Sequence, residues 1–148
     1  MREEGAKKIV GDDRKEEVER SQSMNILIVD DEEEICRMFT KWLSLEGHKV
    51  KSALTGKEAI KLVENEYFDI VFLDIIMPGI PPIEVLEKIK EISPKTKVIV
   101  ITGQLMDVDK DLSNEFSQKG ASEHLQKPFK MEDIRETIRR VCPEIATI

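Results

Sequence analysis

Four places in this chain set a chemically capable residue directly after a strand-like run. Asp69-Ile70-Val71-Phe72-Leu73-Asp74-Ile75-Ile76-Met77-Pro78-Gly79 passes from apolar residues into a carboxylate and then into turn residues. Asn25-Ile26-Leu27-Ile28-Val29 ends in Asp30-Asp31, Lys97 to Ile101 ends in Thr102-Gly103, and a short stretch from Glu123 to Gln126 ends in Lys127-Pro128. Uninterrupted apolar runs of this length read as strands buried on both faces in the middle of a parallel sheet. Burying a carboxylate inside such a sheet is costly, so Asp74 is expected where the strand stops and water begins. Taken alone, Asp74 would read as an acid opening a surface turn. Together, the four strand ends describe a shared pocket at the switch point of an open α/β sheet, where ligands of such sheets bind.

The residue types suggest what that pocket does. Carboxylates as crowded as Asp30, Asp31 and Asp74 repel one another and raise each other's proton affinity. A hard divalent cation resolves the repulsion, and Mg²⁺ prefers a few carboxylates together with waters and a phosphate. With a metal held there, an aspartate can attack phosphorus and form an acyl phosphate. Lys127 supplies a compact positive charge, Thr102 a hydroxyl donor, and Gly103 leaves the backbone open to a phosphoryl oxygen. The sum is an aspartate that accepts a phosphoryl group.

The elements between these runs have helical periodicity. Glu32 to Glu46 places Ile35, Phe39, Trp42 and Leu43 at three- and four-residue spacing, with acids in the first turn and Gly47 as the stop. Lys49 to Leu54 alternates weakly and reads as a strand toward the sheet edge. Thr55 can cap a helix carrying Ala59, Ile60, Leu62 and Val63. Pro82 suits the first position of a helix with Ile83, Leu86, Ile89 and Ile92 on its buried stripe. Met106 to Lys119 is polar, with Val108, Leu112 and Phe116 in phase. The final helix, about Met131 to Val141, buries Ile134, Ile138 and Val141. Strands alternating with helices imply right-handed βαβ crossovers and a parallel sheet covered on both faces.

Composition narrows the classes. The chain has 148 residues, 36% charged and 40% hydrophobic, with 23 basic against 30 acidic side chains and a net charge of −7. That is enough for one domain with a sizeable core, and the acidic balance argues against direct nucleic-acid binding. No apolar run reaches membrane-spanning length and the N-terminus has no signal-peptide core, so a cytoplasmic protein without membrane insertion is expected. Cys36 and Cys142 have no metal-ligand spacing and read as free thiols. Residues 1–23 mix six basic with seven acidic residues and few large apolar ones, which predicts a charged mobile arm. No internal repeat or low-complexity segment occurs.

Val29-Asp30-Asp31, Leu73-Asp74-Ile75-Ile76-Met77-Pro78-Gly79, Ile101-Thr102-Gly103 and Gly120-Ala121 through Lys127-Pro128-Phe129, in this order, resemble the response regulator receiver domain of two-component signalling. The resemblance covers about residues 24–142, leaving 143–148 as a tail. It implies a doubly wound, flavodoxin-like (βα)5 fold with a five-stranded parallel sheet in the order 2-1-3-4-5. It also implies that Asp74 is the phosphoacceptor, that Asp31 ligates Mg²⁺ directly with Asp30 acting largely through water, and that the Ile76 backbone carbonyl completes the protein ligands. Thr102 and Lys127 would contact the phosphoryl oxygens, and the Lys127-Pro128 bond would be cis. The family's switch couples the hydroxyl residue to an aromatic three positions before the lysine, here His124. An exposed strand histidine is the plainer alternative for that position. His48 receives no role. The implied partners are a histidine kinase or histidine phosphotransfer protein and a downstream protein target.

Two departures from the family's pattern stand out. Pro81-Pro82 replaces a common Asp-Gly, which should stiffen the loop after Asp74. Ile76 and Gln104 occupy positions that modulate attack of water on the acyl phosphate, and an apolar Ile76 should shield it. With so few residues after 142, no output domain is expected there and the chain reads as a stand-alone receiver unless it was excised from a longer one. A Mg²⁺-dependent phosphohydrolase with an aspartyl-phosphate intermediate is the alternative. It would need a general acid near Asp74, which Ile76 cannot be, and a cap over the substrate. A flavodoxin-like mononucleotide binder would need a glycine-rich phosphate loop, which is missing.

Overall fold

The computed structural model describes residues 23–103 and 110–143. The strands are β1 (Asn25–Val29), β2 (Lys49–Ala53), β3 (Ile70–Asp74), β4 (Lys97–Thr102) and β5 (Ala121–Gln126). The helices are α1 (Glu33–Leu45), α2 (Gly56–Asn65), α3 (Pro82–Ile92), α4 (Lys110–Gln118) and α5 (Met131–Val141). All strand pairings are parallel, in the order β2-β1-β3-β4-β5. The fold is therefore the doubly wound arrangement expected. The arm at 1–23, apart from Ser23, lies outside the described residues, as do Gln104, Met106, Val108 and all of the 143–148 tail except Pro143.

The apolar runs of the inner strands explain the layering. Alternate side chains of a strand point to opposite faces. Leu27, Val29, Val71, Leu73, Val98 and Val100 meet Ala59 and Val63 of α2, Val85, Leu86 and Ile89 of α3, and Phe116 of α4. The intervening residues Ile26, Ile28, Ile70, Phe72, Ile99 and Ile101 face Cys36, Phe39 and Leu43 of α1 and Ile134, Ile138 and Val141 of α5. Sequence periodicity found these stripes with small shifts. Cys36 belongs to the core of α1, whereas Ile35 and Trp42 are only partly buried, as are Ile83 and Ile92 on α3. Both thiols are buried and free of disulfides, and burial pushes Cys36 up to about 11.

Local signals end the elements as their chemistry requires. Thr55 Oγ1 accepts the Glu58 backbone N–H at 3.1 Å and caps α2. Pro82 opens α3 directly behind Pro81, whose ψ of 134° is extended. Gly47 follows α1 at φ 94°, a conformation that costs any side-chain-bearing residue. The β1/β2 and β1/β3 pairings put β1 between two crossovers that leave in opposite directions. The ends of β1 and β3 thus form the topological switch point.

Gly56 is the most crowded of the described glycines, because an added Cβ would sit 2.6 Å from Val85 Cγ2. Val85 is fully buried and β-branched, so it has little freedom to retreat. Gly56→Ala is expected to cost about 1–3 kcal/mol through overpacking, measured by urea unfolding. Unaltered stability would show that α2 and α3 can separate freely.

Candidate functional site

The register Val29↔Leu73 sets Asp30 beside Asp74 across the switch point. Each uses one carboxylate oxygen in the same way: Asp30 Oδ1 accepts the Glu32 N–H at 2.9 Å and Asp74 Oδ1 accepts the Ile76 N–H at 3.0 Å. These bonds span two residues and turn the chain away from each strand. They also leave each Oδ2 for the centre of the pocket. Asp30, Asp31 and Asp74 each offer an oxygen, and these oxygens lie within 4.8 Å of one another.

Water reaches this cluster less than the sequence suggests. Asp74 is 5% exposed and Asp30 0%, so the end of β3 is still inside the molecule. The expectation that Asp74 sits where water begins is corrected: the carboxylates of Asp74 and Asp30 are buried, and of the three acids only Asp31 is exposed. Burial, the largest influence, pushes the Asp30 carboxyl up to about 7. The Glu32 amide and Lys127 pull the other way, and the neighbouring Asp74 charge adds to the rise.

Lys127 supplies the opposing charge. Its Nζ lies 3.6 Å from Asp74 Oδ2 and 3.8 Å from Asp30 Oδ2, ion-pair rather than hydrogen-bond distances. Burial works to lower its pKa, but the fields of Asp74, Asp30 and Glu32 outweigh that and hold the ammonium above its usual range. The Lys127 N–H donates to the Thr102 carbonyl at 2.7 Å, the Lys127-Pro128 bond is cis, and the Phe129 ring packs 5.4 Å from Phe39 on α1. Thr102 is buried as the last residue of β4. The ends of β1, β3 and β5 thus bring Asp30, Asp74 and Lys127 together, and the end of β4 joins them through the Thr102 carbonyl.

His124 is half-buried on β5, in register with Val100, and its Nε2 lies 3.4 Å from Ser113 Oγ on α4. It is neither the exposed histidine of the plainer alternative nor a fully enclosed ring. His48 Nδ1 accepts the Met24 N–H at 3.0 Å, a structural bond away from the pocket. Ile76 is 57% exposed and, with Ile75, Pro81, Pro82 and Gly103, lines a small apolar cleft beside the acids. Glu32 is the residue that sequence reasoning passed over. Its Oε1 lies 3.5 Å from Lys127 Nζ, and nothing in the run Asp30-Asp31-Glu32-Glu33-Glu34 distinguishes it from the helix-opening acids that follow.

The residues present fit a divalent cation. Asp30 Oδ2 is buried without any hydrogen-bond partner, and an orphaned carboxylate oxygen among other acids calls for a cation. A proton fills that need only in part, which gives a pH signature. A carboxyl with a raised folded-state pKa stabilises the fold at low pH, and this contribution is lost as pH rises through its folded value. Metal-free protein is therefore expected to lose stability between about pH 4 and 7 relative to Asp30→Asn, with Mg²⁺ reversing the loss. Thermal unfolding of both proteins across that range checks it, because histidine contributions cancel in the difference. Parallel curves would remove the raised Asp30 from the account.

Comparisons with known proteins agree with this geometry. A family model described as "Response regulator receiver domain" matches residues 26–139. Sporulation initiation phosphotransferase F of Bacillus subtilis is 34% identical over 120 residues, 80% of this chain and 93% of that protein. The uncharacterized transcriptional regulatory protein YkoG of the same organism is 32% identical over 83% of this chain but only 53% of its own length, so the remainder of that protein has no counterpart in the match. Among solved structures, a CheY-like receiver domain protein from Methanospirillum hungatei superposes with a TM-score of 0.76 at 32% identity, covering 83% of this chain and 96% of that one. Chemotaxis protein CheY4 of Vibrio cholerae gives 0.72 at 28% identity, covering 79% and 97%.

Proposed function

We propose that this chain, which belongs to the response regulator receiver domain family of two-component signalling, accepts a phosphoryl group on Asp74 from a phosphohistidine of a histidine kinase or histidine phosphotransfer protein in the cytoplasm. The observation that carries this reading is the convergence of three carboxylates with their oxygens within 4.8 Å and the Lys127 ammonium 3.6 Å from Asp74 Oδ2. In the transfer, an Asp74 oxygen forms the new bond to phosphorus as the bond from phosphorus to the donor nitrogen breaks. The electron pair stays on the imidazole nitrogen.

Asp31 would hold Mg²⁺ directly, Asp30 largely through water, and Asp74 and the Ile76 backbone carbonyl would complete the protein ligands. When bound, the ion supplies positive charge against the phosphoryl oxygens. Lys127 draws the phosphoryl oxygens inward through its charge, and Thr102 donates its hydroxyl to one of them. The reading gains support from Thr102 and His124 lying on neighbouring strands two register positions apart. Movement of Thr102 toward the phosphoryl group vacates space into which His124 turns. That changes the face formed by α4, β5 and α5, which a downstream protein then reads. No observation favours the phosphohydrolase, since Ile76 offers no proton and no described segment forms a cap.

Incubation with Mg²⁺ and acetyl phosphate should add one phosphoryl group to the intact mass, and Asp74→Asn should abolish the adduct. Catalytic turnover of phosphomonoesters without an adduct would overturn the assignment. Ile76 predicts a long-lived acyl phosphate, because an apolar side chain cannot orient an attacking water. Ile76→Asn is expected to hydrolyse severalfold faster when decay of the adduct is followed. An unchanged rate would refute shielding by Ile76.

A further inference from the structure

Glu32 approaches the pocket from the solvent side. It occupies the N-cap position of α1, yet its side chain makes no capping hydrogen bond. Its Oε1 lies 3.5 Å from Lys127 Nζ, as close as the Asp74 oxygen at 3.6 Å and closer than that of Asp30 at 3.8 Å. The Glu32 side chain is 63% exposed and that of Lys127 30%, so this pair forms the rim of the pocket while Asp30 and Asp74 form its floor. An exposed pair of this kind contributes little to stability. Its effect is on the electrostatics of entry.

Two consequences follow from the placement. Lys127 is shared with a carboxylate that takes no part in bonding to phosphorus, so part of its field is spent before a donor arrives. Glu32 also adds a negative charge at the mouth, above the acids already gathered below it. Every phosphoryl donor is an anion, and repulsion at the mouth grows with donor charge.

Taking Asp74 as the phosphoacceptor, we propose that Glu32 is a specificity-determining residue that selects phosphoryl donors by charge. It disfavours small dianionic acyl phosphates against donors of lower net charge, such as a phosphoryl group on nitrogen that a protein partner presents with its own cationic surroundings.

Two small donors separate this effect from a general one. Acetyl phosphate is a dianion at neutral pH and phosphoramidate carries a single net negative charge. Rates of adduct formation are measured by intact mass at saturating Mg²⁺ and low salt, for the wild type, Glu32→Gln and Glu32→Asp. Removing one charge at about 6–8 Å from a dianion in a water-like medium gives about six- to ten-fold faster phosphorylation by acetyl phosphate, and about two- to three-fold by phosphoramidate. The ratio of the two rates should therefore rise in Glu32→Gln, stay at the wild-type value in Glu32→Asp, and lose its difference in about 0.5 M KCl, where screening is short-ranged. A merely structural role for Glu32 would leave the ratio unmoved. If Glu32→Gln forms adduct with the wild-type ratio, the selection by charge is overturned and the phosphoacceptor stands. If no donor gives an adduct on the wild type, the phosphoacceptor falls and this inference with it.

Discussion

The fold places two carboxylates where water scarcely reaches them, and the rest of the site follows from that constraint. Asp30 and Asp74 end adjacent central strands, and each commits one oxygen to the backbone amide two residues on. The other oxygens face each other's charge in a poorly solvated space. Ion-pair distances to Lys127 relieve this incompletely, since Asp30 Oδ2 still lacks a hydrogen bond and its carboxyl is pushed up to about 7. An arrangement that stabilises the folded chain poorly by itself is well suited to recruiting a cation and a phosphoryl group.

The supporting structure is arranged to keep that tension local. The floor of the pocket is tied to the sheet by register and by main-chain bonds: Asp30 N–H to the Ala53 carbonyl, Ile75 N–H to that of Ile101, Lys127 N–H to that of Thr102. Phe39 holds both sides together, its ring 4.9 Å from Phe72 on the central strand and 5.4 Å from Phe129 beyond the lysine. Because these contacts are apolar or main-chain, they do not depend on the protonation or metal state of the acids. The pocket can change charge without losing its frame.

Much of this was legible in the sequence because strands buried on both faces write themselves as unbroken apolar runs. The runs at Ile26 to Val29, Ile70 to Leu73 and Val98 to Ile101 located the sheet, and the residues just beyond them located the site. Periodicity was less exact for helices. It assigned Ile35 and Trp42 to the core of α1 where Cys36 takes the deeper position, because a small thiol carries a weak hydrophobic signal. Two features had no one-dimensional trace. The burial of Asp74 depends on what the neighbouring strand ends bring beside it, and the pairing of Glu32 with Lys127 joins residues far apart in the chain. In a run of five acids, nothing after Asp30-Asp31 marks Glu32 as the one that reaches the lysine.

The pocket consequently has two layers with different physical duties. Asp30, Asp74 and Thr102 are enclosed, and their positions are consequences of strand register. Changing them alters buried charge and hydrogen bonding, so chemistry and stability move together. Glu32 and Ile76 stand at the rim with most of their surface in water. Substitutions there meet few packing constraints, and what they change is the charge and polarity at the mouth of the pocket rather than its buried frame. On the proposed reading, a receiver built this way would keep one reaction on the floor of its pocket while the rim sets which donor phosphorylates it and how long the signal lasts.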